Sequence, residues 1–303
     1  MSTQFRLLTA AATLGAVVLL RQSRKSRQRA LVADSPRRLH RAAGTLAACV
    51  LLDSAIEHYR GLFHNRAMYA PLASALLTVG ASAHGAAALE SAASRGQRGR
   101  DLIYGLACAT GVIGTAFHLY NIGKRTGGFS WLNFFYAAPV AAPAALAMAG
   151  VLGVAADRLH QSRQGAPRLL GVPAGRVLAA LTSAGILGTS GEVGLLHFRG
   201  AFHNPAMYLP VTVPPVAAVM LARCAASKRA VPSQAARWWL RLTGALGLIG
   251  TLLHTYGVAR AMGGWRNWSQ NLLAGPPLPA PPSFAALAVS GLVALDLLRG
   301  DAK

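Results

Sequence analysis

Residues 102 to 122 read LIYGLACATGVIGTAFHLYNI, 21 positions without an Asp, Glu, Lys or Arg. As a helix, such a run covers the roughly 30 Å hydrocarbon core of a bilayer and satisfies its own backbone hydrogen bonds where water cannot. Working outward, seven further predominantly apolar runs lie at Ala42 to Tyr59, Met68 to Leu89, Phe134 to Ala156, Val177 to His197, Ala206 to Ala226, Trp239 to Val258 and Phe284 to Leu298. A shorter run, Leu7 to Leu20, precedes them. All are too rich in Ala, Gly and Leu to be barrel strands. The expected fold is all-α: a polytopic transmembrane helical bundle.

Composition agrees. The chain is 53% hydrophobic and 13% charged, with a mean hydropathy of +0.38, whereas soluble domains carry about 25% charged residues. Membrane lipids are therefore the expected surroundings. A net charge of +21 would suggest nucleic acid in a soluble protein. Here the basic residues gather in alternate short loops, as the positive-inside rule requires, and no nucleic-acid partner is expected.

The run at Leu7 to Leu20 is preceded only by Arg6 and followed by Arg21, Arg24, Lys25, Arg27 and Arg29. That is the reverse of a secretory signal and marks an anchor with its N-terminus outside. With residues 21 to 41 in the cytoplasm, alternation places 22 of the 30 Lys and Arg residues on the inner side. The expected setting is the bacterial inner (plasma) membrane, multi-pass, with the N-terminus periplasmic and the C-terminus cytoplasmic. The polybasic stretch serves this topology first; contact with anionic headgroups is secondary.

The chain repeats itself. HYRGLFHNRAMYAP at 58 to 71 matches HFRGAFHNPAMYLP at 197 to 210, with ten of fourteen positions identical. IGTAFHLYNIGKRTGG at 113 to 128 matches IGTLLHTYGVARAMGG at 249 to 264, with seven of sixteen identical. The order is the same and the offsets, 139 and 136, nearly so. The reading is a tandem duplication of a four-helix unit plus an N-terminal helix. Its segments are an anchor and basic cytoplasmic segment at 1–41, a first repeat at 42–156, a cytoplasmic linker at 157–176 and a second repeat at 177–303. Four spans per unit keep both copies the same way up, giving a parallel repeat.

The shared residues are polar, and the topology puts them at the periplasmic end. Each half offers three histidines: His58, His64 and His118, then His197, His203 and His254. Asp53 and Glu192, related by the same offset, lie more than a turn deeper, where a carboxylate is functional or paired. Two centres would use this set. A haem b would take His58 with His118 and His197 with His254, with Arg60 and Arg199, and Lys124 and Arg260, neutralising propionates. Gly111 and Gly114, and their counterparts Gly247 and Gly250, would clear a helix face for the macrocycle. A non-haem transition metal would take His58, His64, His118 and Asp53 in one half and His197, His203, His254 and Glu192 in the other.

Architectural roles compete for the same residues. His and Arg favour helix C-termini, Asn65 and Asn204 suit caps, and Gly127-Gly128 and Gly263-Gly264 suit turns. Tyr69, Tyr208, Trp131, Trp265 and Trp268 suit an interfacial belt. Pro143, Pro214 and Pro215 could interrupt helices but have no evident counterparts in the other half. The unmatched His84 reads as a mid-span hydrogen bond to a neighbouring helix, and His40 and His160 as residues of basic inner loops. Cys49, Cys108 and Cys224 form no pair motif and read as small packed hydrophobes.

The function these features favour is a membrane subunit of a redox system, with paired haem b or metal centres near the periplasmic face passing electrons between a periplasmic redox partner and membrane quinone. The alternatives are a cofactor-free membrane anchor or assembly protein, and a transporter built from two parallel repeats. No nucleophile motif, phosphate loop or dinucleotide fingerprint is present. No catalytic residue is assigned, and an enzyme acting alone is not expected.

Overall fold

The computed structural model describes residues 30–88, 96–162, 167–227 and 233–301; the run from Leu7 to Leu20 lies outside them. The first half comprises α1 (Ser35–Arg60), α2 (Ala70–Ala88), α3 (Gln97–Gly123), the short α4 (Trp131–Tyr136) and α5 (Ala141–Gln161). The second comprises α6 (Ala174–Arg199), α7 (Leu209–Ala226), α8 (Gln234–Arg260), the short α9 (Trp268–Ala274) and α10 (Pro282–Asp301). Single 3-10 turns at Arg66–Tyr69 and Pro205–Tyr208 lead into α2 and α7. Seven of these helices are long and apolar enough to cross a membrane. The other long helix, α2, has 19 residues whose hydropathy is diluted by Ser74, Thr78, Ser82 and His84.

Helix starts follow local chemistry. Pro36 sits in the first turn of α1, where a missing amide hydrogen costs nothing. The side chains of Ser130, Asn65, Asn204 and Ser233 accept from the amides of Asn133, Ala67, Ala206 and Ala236. Because α1 begins at Ser35, the residues from Pro36 to Arg41 are helical, and the expected boundary at 41 falls inside α1. Likewise α5 continues through Asp157 to Gln161, and a small antiparallel pair, β1 (Arg168–Leu169) with β2 (Val172–Pro173), closes the connection to α6.

The expected single span from Phe134 to Ala156 is broken. The chain leaves α4 at Tyr136, passes through Ala137 in an extended conformation and restarts at Ala141. Pro139 explains the break, since it lacks an amide hydrogen and disfavours a helical residue before it. The second half breaks in the same place, between α9 and α10, across Gly275, Pro276 and Pro277.

In the first half α1 and α3 each pack against both α2 and α5, so they stand on a diagonal; α6 and α8 are placed likewise between α7 and α10. The halves meet where α1 packs on α10 and α6 on α5, with α4 touching α6 and α9 touching α1. The main core lies at this junction, around Leu39, Leu46, Leu152, Leu178, Leu221, Leu240 and Leu295. Outward, α3 and α8 expose Leu102, Ile113, Phe117, Leu248, Leu252 and Tyr256, an apolar exterior that suits lipid and not water. The chain is thus an all-α bundle of membrane-spanning helices.

Candidate functional site

At the end where α1, α3, α6 and α8 finish, all six expected histidines are held by one kind of bond. His58 Nδ1 lies 2.6 Å from the carbonyl of Met68, and His197 Nδ1 lies 2.7 Å from that of Met207. His118 Nδ1 is 2.6 Å from the Pro139 carbonyl, and His254 Nδ1 is 2.7 Å from the Pro277 carbonyl. His64 and His203 bond the carbonyls of Gly61 and Gly200 at 3.0 Å. A carbonyl only accepts, so each Nδ1 carries the hydrogen and donates. An imidazole so fixed presents an unprotonated Nε2 whenever it is neutral, the arrangement found behind metal-ligating histidines.

The segment after His58 is built to hold it. Leu62 and Phe63 adopt φ of 56° and 44°, and Ala201 and Phe202 adopt 55° and 47°. Consecutive non-glycine residues in the left-handed region cost about 1–3 kcal/mol each. Phe63 in return stacks on Tyr69 at 4.5 Å and meets His58 edge-on at 6.1 Å; Phe202 does the same with Tyr208 and His197 at 4.5 and 6.0 Å. Gly127, Gly128, Gly263 and Gly264 also have positive φ, as their turn role requires.

His58 lies within electrostatic reach of His118 and His64, and His254 within reach of His197. His58, His118, His197 and His254 are half-buried, while His64 and His203 are exposed. Among the described residues no three His, Cys, Asp or Glu side chains gather at one metal-sized point. In each half one imidazole, His64 or His203, bonds back to its own turn, while the other two are half-buried.

Glu192 serves across the halves. Glu192, expected beside His197, instead reaches α5 of the first half, where Oε2 accepts from the amides of Val140 and Ala141 at 3.2 Å each. It lies in electrostatic reach of His118 and Arg199, and Asp53 in reach of Glu57 and Glu192. Phe135 stacks on Phe198 at 4.7 Å, and the Arg199 guanidinium lies 5.7 Å from the Tyr136 ring, so α4 is clamped to the end of α6. Arg60 pairs with Glu57 at 2.7 Å. Lys124 and Arg260 lie over Tyr120 and Tyr256, each at 5.5 Å.

The glycines do not keep a face open. A methyl at Gly111 would strike Ala147 and the Pro143 carbonyl, and one at Gly247 would meet Ala285 and the Pro281 carbonyl at 2.8 Å. They admit the neighbouring helix. Pro143 therefore has a counterpart after all, in Pro281, while Pro214 and Pro215 remain inside α7. A comparison with known family models, curated proteins and solved structures finds no match for this chain.

A second polar centre, unforeseen in the sequence, lies at the opposite end. Arg100 grips Asp157, with Nη2 at 2.7 Å and Nε at 3.1 Å, and its Nη1 lies 3.2 Å from His84 Nδ1. His84 thus bonds a neighbouring helix as expected, but at this end of the bundle and not at mid-span. Asp296 is held by Arg38 at 2.7 Å and Arg237 at 2.6 Å. His40 is no loop residue but a fully buried one on α1, while His160 sits exposed in the last turn of α5. The three cysteines are free thiols, as expected.

Proposed function

We propose that the chain is the membrane subunit of a redox system, formed by tandem duplication of a four-helix unit, each copy holding one two-imidazole centre: His58 with His118, and His197 with His254. The observation that carries this reading is the set of four Nδ1–H···O=C bonds, the same in both halves, which leaves each Nε2 free to ligate. The donor set would fit haem b, which two imidazoles can hold, better than a metal needing three or four protein ligands. His64 and His203 are turned to their own loops, and Glu192 is occupied by two amides. The diagonal placement of the ligand-bearing helices also suits a group held between them.

When bound, haem b would supply reversible one-electron transfer. The chain's part is to hold each imidazole by a carbonyl at the start of the following segment and to offer cations, Arg199, Lys124 and Arg260, for propionates or a partner. In this reading the centres lie near the periplasmic face of a bacterial inner membrane, between a soluble redox partner and membrane quinone, with the C-terminus cytoplasmic.

The test is a reduced-minus-oxidised spectrum and metal analysis of the detergent-purified chain. The reading expects a b-type band with two haems per chain, halved by His58→Ala and halved by His197→Ala. A folded preparation that is colourless and metal-free after expression with ample haem and iron would overturn it, leaving the histidines as loop fasteners in a cofactor-free anchor.

A further inference from the structure

At the end of the bundle opposite the paired histidines, four side chains from four helices meet: His40 on α1, Ser82 on α2, Tyr104 on α3 and Asp157 on α5, none more than 2% exposed. His40 Nδ1 lies 3.0 Å from the Tyr104 hydroxyl, which lies 3.4 Å from Ser82 Oγ. His40 Nε2 faces Asp157 Oδ1 at 3.6 Å and has no hydrogen-bond partner among the described residues. The space is shaped for these rings: a methyl on Gly85 would collide with the His40 imidazole, and one on Gly153 with the Tyr104 phenol.

The second half keeps the acid of this set, Asp296 at the 139-residue offset from Asp157, but not its other members. In the second half Leu240 packs against Gly291 as Tyr104 packs against Gly153, with Leu221 beside it. Ala179, Leu221 and Cys224 stand at the 139-residue offset from His40, Ser82 and Gly85. The second half is therefore packed with apolar groups where the first buries His40, Ser82 and Tyr104, at a desolvation cost.

The charged side chains that face His40 from the neighbouring helices are held in ion pairs. Arg100 on α3 neutralises Asp157, and its Nη1 meets His84 of α2. Asp101 on α3 lies 3.6 Å from Arg158 on α5. On the α10 side Asp296 is held by Arg38 and Arg237. The imidazole is the variable group. The Tyr104 hydroxyl has one hydrogen and two neighbours able to accept it. With His40 neutral, that hydrogen goes to Nδ1, and Nε2–H turns to Asp157. When a proton from water binds Nδ1, one N–H bond forms, Nδ1–H donates to the Tyr104 oxygen, and the hydroxyl hydrogen turns to Ser82 Oγ. Asp157 faces the resulting imidazolium, and no heavy atom moves.

We propose that His40, Tyr104, Ser82 and Asp157 form a proton-binding site confined to the first half, taking one proton at His40 Nδ1 and transmitting it as a swing of the Tyr104 hydroxyl from His40 to Ser82. It does not depend on the paired-imidazole centres.

The test is solid-state NMR of the full chain, 15N-labelled at histidine, in lipid bilayers from pH 4 to pH 9. One imidazole, missing from His40→Gln, is expected to keep Nε2 protonated throughout and to gain a proton at Nδ1 in one step, with a midpoint moved by a pH unit or more in Tyr104→Phe. Nδ1 protonated at every pH, no step in the range, or an unmoved step in Tyr104→Phe would overturn the proposal. The triple variant His40→Ala, Ser82→Leu, Tyr104→Leu copies the residues of the second half, and so is expected to keep wild-type helix content and lose the step. A step that survives in it would also overturn the proposal.

Discussion

Glu192 of α6 accepts a hydrogen bond at 3.2 Å from the amide of Ala141, the first residue of α5, so a side chain of one half caps a helix of the other. The neighbouring amide of Val140 shares the same oxygen. A carboxylate at a helix N-terminus answers both the unpaired amides and the helix dipole, each a contribution of about 1 kcal/mol. Glu192→Ala leaves two amides without a partner and is expected to destabilise the junction by about 1–2 kcal/mol. Glu192→Gln keeps an acceptor and is expected to lose less. Melting curves in detergent check the order; equal curves for Glu192→Ala and the wild type would count against the cap.

The turn after α1 stores strain that glycine would release. Leu62 has φ of 56° and is 85% exposed, so its side chain contributes little to packing. Leu62→Gly is expected to stabilise the chain by about 0.5–1 kcal/mol, the gain at φ exceeding glycine's extra freedom in the unfolded chain. Ala201→Gly, at φ of 55°, is expected to act alike. Phe63→Gly is expected to destabilise, because it removes the stack on Tyr69. A melt in which Leu62→Gly is less stable than wild type would contradict the strain.

The buried ion pairs differ in how much they leave behind. Asp157→Ala strands Arg100 and is expected to cost about 3–5 kcal/mol. Asp296→Ala strands both Arg38 and Arg237 and is expected to cost more. Replacing Arg100 and Asp157 together, by Met and Leu, is expected to recover most of the loss, since apolar packing substitutes well for a buried pair. Urea or SDS unfolding of the three variants reads the order directly.

How much of this was legible in the sequence depends on the range of each interaction. The spans showed in apolar runs, and the repeated loop showed because its chemistry is local: His58, Gly61, Asn65 and Met68 lie within one short string. The break before α5 was written in Pro139 but hidden by the aromatic run ahead of it. The start of α1 was marked by Pro36, yet the basic residues around it favoured a loop reading and placed His40 outside the bundle. The Arg100–Asp157 pair was invisible because its members are 57 residues apart, although Arg237 and Asp296, 137 and 139 residues further on, repeat it at the offsets of the other matches. That Glu192 serves the opposite half depends on how the halves dock, which no local pattern encodes.

Two classes of histidine should separate in any ligand-binding measurement. His58 and His118 donate through Nδ1 to Met68 and Pro139, carbonyls of the segments that follow their own helices, and stay half-buried near each other. His64 donates to Gly61, three residues back in its own turn, and is exposed. If ligation runs through the interior pairs, His64→Ala and His203→Ala keep the full haem content, while His118→Ala and His254→Ala each remove half. A centre built on all three imidazoles predicts equal losses from all of these variants. Haem or metal per chain, measured on the purified proteins, distinguishes the two patterns, and equal losses would replace the paired-imidazole reading with a three-ligand metal site.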